Sequence, residues 1–279
     1  MLYPMVARIV LYGLPTRRSL PAVSTPLLWR VLMAIDRGFV RLTGRLEVTG
    51  DIPADLLGKP LLLASNHIGN LDPFVLIAAC RQKDLNPRFM LAGGLLDAPI
   101  MGPALKACGH LRVDRASANV GEAMHRAVEA LEKSTDPIAV YPEGKISLDP
   151  GLWPERGKTG VARMALGGNI PVVPVSQWGA HEAVYWGNLS VGGWRDFLPY
   201  LTSWLRALRR RPVFKVHFGK PVELSDLKPE TAGDARRAHE RIMRAITEGL
   251  VPLRLDEPDL PAFHDPTRPT TGTSPWRPA

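Results

Sequence analysis

Two cysteines in 279 residues leave no material for a disulfide framework. Cys80 and Cys108 both lie in apolar stretches and match no metal-ligand spacing, so reduced, buried thiols in a cytosolic chain are expected. The chain also lacks any apolar run near the roughly 20 residues that a bilayer-spanning helix needs. Its opening, MLYPMVARIVLYGLPTRRSLP, is broken by Arg8, Pro15, Arg17 and Arg18 and has no small-residue cleavage pattern. It does not read as a signal peptide. No internal repeat is visible. No serine stands in a G-x-S-x-G elbow, so a nucleophilic serine of that type is excluded. RGKTGVARMAL (156–166) resembles a nucleotide-binding loop only superficially. A P-loop ending at Gly157 needs glycine at 152, where Leu152 stands.

What the chain does have is positive charge and a large apolar fraction. The net charge is +8 and the pI about 9.8, which favours anionic partners: nucleic acid, anionic lipid or phosphorylated metabolites. With 45% hydrophobic residues the chain can bury one large α/β core or two small ones.

Residues 26–42 are helical by period, with Leu28, Val31, Leu32, Ile35, Phe39 and Leu42 on one face and Arg30, Arg37 and Arg41 opposite. The pattern fits a helix packed on the domain with a solvated basic face. It fits equally a helix lying in a membrane interface. From residue 45 onward, strands alternate with helices. LEVTG (46–50), KPLLLAS (59–65), RFMLA (88–92), PIAVYP (137–142), IPVVPVS (170–176) and VFKVHFG (213–219) read as strands. Helices are expected over 73–81, 95–107, 120–133 (with a capping-box-like Asn119 and Glu122), 158–167, 194–211 and 233–250. In the 194–211 segment Pro199 is expected to bend or restart the helix, and its Trp and Arg residues also suit an interface. This alternation predicts an α/β fold: a mostly parallel central sheet flanked by helices, with an N-terminal amphipathic helical segment. Residues 1–44 form that segment, 45–252 the domain, and 253–279 a Pro-rich tail expected to be disordered.

Four motifs stand at strand exits. In LLLASNHIGNLDPFVL (61–76), His67 and Asp72 lie five positions apart, just after a buried strand. Taken singly, His67 is as well read as a structural histidine, and Asp72 as the N-cap of a helix opening at Pro73. Taken together they form a base and an orienting carboxylate, with a substrate hydroxyl as nucleophile. Metal ligation has no third or fourth ligand at a suggestive spacing. In GHLRVDR (109–115), Arg112 and Arg115 flank a short strand and read as surface arginines, or Arg115 as a phosphate grip. In YPEGK (141–145), Gly144 permits close backbone approach and Glu143 can accept from a hydroxyl, although an ordinary turn has the same letters. In RGKTG, Lys158 stands at a helix start suited to an anion.

In this order the four motifs resemble the glycerolipid acyltransferase family, which includes the 1-acylglycerol-3-phosphate acyltransferases. NHIGNLD resembles its N-H-x4-D signature, GHLRVDR and YPEG its second and third blocks, and IPVVPVS its final proline-containing strand. The likeness covers roughly residues 45–220. It implies acyl transfer from acyl-CoA or acyl carrier protein to a lysophospholipid hydroxyl, 1-acyl-sn-glycerol-3-phosphate first. It implies His67 as general base and Asp72 as its partner. Arg115, Glu143, Gly144, Lys145 and Lys158 would hold the phosphoglycerol part. No cofactor or metal, and no nucleic acid, enters such a reaction. The enzyme would sit peripherally on the anionic inner face of the cell membrane, in the cytoplasm. The family's third block usually continues Thr-Arg-Ser, whereas this chain has Lys145-Ile146-Ser147, which leaves the acceptor headgroup open. A thioesterase using the same dyad on water, or a non-catalytic lipid-binding protein, are the other readings.

Overall fold

The structure is a computed structural model, and it describes residues 25–99, 101–113, 126–131, 133–186 and 194–278. Residues 1–24, Arg115, and the capping-box start at Asn119 and Glu122 therefore lie outside the described residues.

In chain order the elements are α1 (Leu27–Thr43), β1 (Arg45–Gly50), β2 (Leu62–Ser65), α2 (Asp72–Gln82), β3 (Arg88–Ala92), α3 (Gly93–Leu96), α4 (Met101–Ala107) and β4 (Leu111–Val113). There follow β5 (Ile138–Val140), α5 (Gly160–Gly168), β6 (Val172–Trp178), α6 (Leu198–Arg210), β7 (Val213–Phe218) and α7 (Asp234–Leu250). The single helix expected over 95–107 is split into α3 and α4. Pro99 removes an N–H and disfavours helix at Ala98, so the chain turns there instead. Pro199, in contrast, falls in the first turn of α6, where its missing N–H costs nothing.

The strands form one seven-stranded sheet in the order β1-β7-β6-β2-β5-β3-β4. Every neighbouring pair is parallel except β6 with β7. The expected α/β class with a mostly parallel sheet is the fold observed. Strand alternation assigns the two faces. Leu63, Val173 and Val175 point to a core shared with α1 and α2, whereas Leu62, Ala64 and Val172 point to one shared with α5, α7 and residues 126–131. Because β2, β5, β3 and β4 run parallel with β6, their C-terminal ends open on one edge. In α/β sheets that edge is where ligands bind.

Helix α1 departs from its expected orientation. Its buried residues are Trp29, Met33, Asp36, Val40 and Thr43, packed against α2. The apolar face read from the sequence is turned outward, with Leu28 42%, Val31 47%, Ile35 63% and Leu42 56% exposed. Only Leu32 and Phe39 of that set are half-buried against the core. The helix is thus apolar on two sides.

After a short 3-10 turn (Val251–Arg254) the tail carries no further helix or strand among the described residues, and it contacts the domain at several points. Arg254 is fully buried between the Trp153 and Trp178 rings, at 4.1 and 4.2 Å, and donates to Gly151 O at 2.6 Å. Farther on, Asp265 accepts from Trp186 N at 2.6 Å, Ser274 N donates to Asp149 at 2.9 Å, and Trp276 Nε1 donates to Glu155 O at 3.1 Å. These anchors are isolated polar and aromatic contacts with no period, so tail composition does not announce them.

Buried Asp36 is the odd residue of the α1 interface. Neither of its carboxylate oxygens has a partner among the described residues, and burial pushes its pKa up to about 8. A folded-state pKa above the unfolded one means that stability is greatest at low pH and falls as pH rises toward 8. Asp36→Leu is therefore expected to stabilise the protein by about 1–3 kcal/mol at pH 8. The gain should shrink at pH 5, as read from thermal unfolding at the two pH values. An equal gain at both would rule out a raised pKa for Asp36 in the folded protein.

Candidate active site

Strand β2 ends at Ser65, but its pairing with β6 is carried one residue further by a side chain. The Asn66 amide accepts from Gln177 N at 2.7 Å and donates to Gln177 O at 3.0 Å, as a strand residue would. The chain therefore leaves the sheet at His67 from a fixed point. The turn that follows closes on Asp72, whose Oδ2 accepts from Gly69 N at 2.8 Å, from Ile68 N, and from His67 Nδ1 at 2.8 Å. Gly69 is needed here, since a Cβ would come within 3.1 Å of His181 Cα. Asn70 ties the end of the loop to the Tyr185 and Trp186 carbonyls.

Asp72 does not act as the expected N-cap. Helix α2 begins at Asp72 itself, Leu71 is the capping position, and no side chain caps the helix. The carboxylate instead turns back over the loop that precedes it. This satisfies a buried charge locally, with two peptide N–H groups and an imidazole.

That geometry sets the histidine tautomer. A carboxylate can only accept, so Nδ1 carries the proton and Nε2 presents a lone pair. No described residue hydrogen-bonds Nε2, and the His67 side chain keeps 16% exposure while Asp72 is fully buried. The imidazole lies flat on Tyr141, with centroids 4.1 Å apart and planes 19° apart. An imidazole fixed through Nδ1, with its outer nitrogen free of protein partners among the described residues, is arranged to take a proton from a hydroxyl.

Strand β5, next to β2, delivers the YPEGK segment beside this loop. Glu143 is turned inward rather than toward an acceptor. Its two oxygens receive His67 N and Glu155 N, each at 2.8 Å, and it is 4% exposed. Burial pushes its pKa up to about 8, against those two backbone donors, which hold it down. Its place is to brace the His67 backbone. Ser147, not singled out by the sequence, completes the brace by donating its N–H to His67 O at 2.7 Å. Lys145 pairs with Glu155 at 2.7 Å.

Gly144, at φ 69°, leaves open ground beside the Lys158 side chain. Lys158 is exposed, its ammonium has no ion-pair partner among the described residues, and it precedes α5 by two positions. Gly157 is sterically required, because a Cβ there would meet His239 at 2.8 Å. On the far side of the sheet β4 carries Arg112, which pairs with Asp97 at 2.8 Å. The structure thus brings His67, Asp72, Glu143, Gly144, Lys145 and Lys158 to one sheet edge, while Arg115 lies outside the described residues. Among the described residues no group of His, Cys, Asp and Glu is arranged to hold a metal ion. Tyr141, Asn66 and Ser147 were missed as supports, although Asn66 and Tyr141 open two of the motifs and Ser147 lies two residues past the third.

Comparison with known proteins agrees with this architecture. Residues 45–178 match the family described as Acyltransferase. A probable 1-acyl-sn-glycerol-3-phosphate acyltransferase of Mycoplasma genitalium is 31% identical over 122 residues, covering 42% of this chain and 44% of that protein. The match thus spans less than half the length of that curated relative. The crystal structure of the 1-acyl-sn-glycerophosphate (LPA) acyltransferase PlsC from Thermotoga maritima aligns with a TM-score of 0.51 at 17% identity. It covers 79% of this chain and 80% of that one, a likeness of fold. Both His67 and Asp72 fall within the segment that matches the acyltransferase family, at the exit of its central strand.

Proposed function

We propose that this domain transfers a fatty acyl group from an acyl-CoA or acyl carrier protein thioester to the free hydroxyl of a lysophospholipid. The first-choice acceptor is 1-acyl-sn-glycerol-3-phosphate, giving phosphatidic acid. The observation that carries the proposal is the 2.8 Å His67 Nδ1–Asp72 contact, which leaves Nε2 as a base at the ligand-binding edge of the sheet. In the reaction His67 Nε2 takes the proton of the glycerol hydroxyl as its oxygen forms a bond to the thioester carbonyl carbon. The tetrahedral adduct collapses, the carbon–sulfur bond breaks, and the thiolate leaves with the proton from Nε2. Asp72 stabilises the transient imidazolium and is not itself protonated. No enzyme nucleophile is required. Lys158, and Lys145 once released from Glu155, supply positive charge for a phosphate headgroup.

The acceptor's apolar chain favours a peripheral position on an anionic membrane surface. Exposed Leu27, Leu28, Val31, Ile35 and Leu42 of α1 and Leu198, Leu201 and Leu205 of α6 supply an unpaired apolar face. The two helices are joined by stacked Phe39 and Trp204 at 5.7 Å and by a Trp204 Nε1–Thr43 hydrogen bond of 2.9 Å. Exposed Arg30, Arg37, Arg41 and Arg209 border it. None of the helices described is long and apolar enough to cross a membrane. An interfacial helix with arginines at its rim suits the cytoplasmic face of a cell membrane.

Incubation with labelled acyl-CoA, or acyl carrier protein, and a panel of lysophospholipids tests the reaction. His67→Ala should cut kcat by roughly 10²–10⁴, and Asp72→Asn should also lower it steeply. Lys158→Ala should raise KM chiefly for acceptors with a phosphomonoester headgroup. Free fatty acid without lipid product would reveal a thioesterase, and neither product a binding protein. For the membrane face, flotation with phosphatidylglycerol vesicles is the measurement. Replacing Leu28, Ile35 and Leu201 together with glutamate should weaken binding by at least about tenfold, since each buried aliphatic side chain is worth about 1.5–3 kcal/mol. Binding unchanged by all three would place the contact elsewhere.

A further inference from the structure

One charged side chain of the tail reaches the catalytic loop. Arg268 Nη1 donates to Ile68 O at 2.5 Å, and Nη2 donates to Ser147 O. The guanidinium rests over the Trp186 ring at 5.0 Å. Asp265 fixes the approach, holding Trp186 N through one oxygen and Thr267 N, at 2.8 Å, through the other. We infer that Arg268 is a positioning residue for the His67–Asp72 pair, an inference that rests on the acyl-transfer reading of that pair.

The argument follows the peptide groups. The Ile68–Gly69 peptide donates its N–H to Asp72 Oδ2 and offers its carbonyl to Arg268, so the unit is held from both ends. The preceding His67–Ile68 peptide also donates to Asp72, and its carbonyl accepts from Ser147 N at 2.7 Å. Ser147 is the residue whose carbonyl takes the second arm of Arg268. A single planar fork thus spans two loops that reach the sheet edge from β2 and β5. Lysine, with one point of charge, cannot grip two carbonyls in this way. The positive charge also acts on Asp72 and Glu143, since both carboxylates help to keep Arg268 protonated against the cost of burial. Asp72 has one oxygen, Oδ1, buried without a partner among the described residues. Its orientation therefore depends on the donors to Oδ2, and those donors depend on Arg268 and Ser147.

The test compares the wild-type 279-residue chain with Arg268→Ala, Arg268→Lys and His67→Ala. Arg268→Ala is expected to lower kcat by roughly 10–100-fold, the loss seen when a group orienting an active side chain is removed. KM for both substrates should stay within about a factor of two. Arg268→Lys should recover only part of the loss. Millimolar ethylguanidinium should restore activity to Arg268→Ala and not to His67→Ala, a rescue that damage to the tail alone would not give. Hydrogen exchange, which needs no activity, should quicken in peptides spanning residues 62–76 and 143–150 of Arg268→Ala. Wild-type kcat in Arg268→Ala, or an activity loss without rescue and without faster exchange, would overturn the inference. An inactive wild type with faster exchange in Arg268→Ala would instead sink the acyl-transfer reading and leave the bracing role standing.

Discussion

Everything at this site depends on a single oxygen. Asp72 Oδ2 collects the His67 imidazole and two successive peptide N–H groups, while the carboxyl is wholly excluded from water. A buried carboxylate is tolerable only when its charge is met by donors, and here the donors are the loop itself. Folding the loop and orienting the base are consequently the same event. The five-residue separation has a physical reason: it is the length at which a chain leaving β2 can curl over the first turn of α2 and place three donors on one acceptor. Asn66 fixes where the curl begins by imitating one more residue of strand against Gln177. Glu143 and Ser147 then hold the N–H and the carbonyl of His67 from the neighbouring strand exit.

Much of this was legible in the sequence, for identifiable reasons. Strands such as LLAS and VVPVS are buried on both faces, so they stand out as apolar runs, and their alternation with helices leaves few sheets to choose from. The position of His67 and Asp72 at a strand exit follows from that reading. The direction of the Asp72 side chain does not, because Asp-Pro opening a helix is equally a capping signal. Glu143 is ambiguous in a similar way: a carboxylate beside glycine invites a ligand-facing role, and only the adjacency of β5 to β2 brings it to the His67 backbone. Arg268 and Arg254 lay beyond any periodic rule. Each is a lone arginine in a proline-rich stretch, and what orders them is carbonyl oxygens and tryptophan rings contributed from far along the chain. The aromatic residues Phe263 and Trp276 were the one hint that this tail had something to pack against.

Helix α1 shows why amphipathicity alone cannot say which side is inside. The sequence gives it a broad apolar face, and the obvious inference is that this face is the core. The core instead takes the narrower Trp29-Met33-Val40 row, which includes an aspartate with no partner among the described residues, and leaves the broader one facing out. Such an arrangement is costly in water, since an exposed apolar strip gains nothing from folding. It is sensible where the strip meets an apolar phase.

The position of that strip relative to the dyad ties the two halves of the proposed function together. Phe39 of α1 lies edge-on to Phe74 of α2, at 6.0 Å, and Phe74 is 44% exposed. Phe74 stands two residues after Asp72, on the first turn of the helix that carries it. The outward apolar side of α1 is thus continued through Phe39 to Phe74, two residues past Asp72. A single-chain lipid lying along it would keep its acyl chain on apolar side chains and bring its glycerol hydroxyl to the loop, with its headgroup toward the basic residues at the strand ends. In that arrangement the apolar strip would do more than hold the protein at a membrane. Apolar contact along the chain would fix where the hydroxyl arrives, and a rigid base needs little else to act on it.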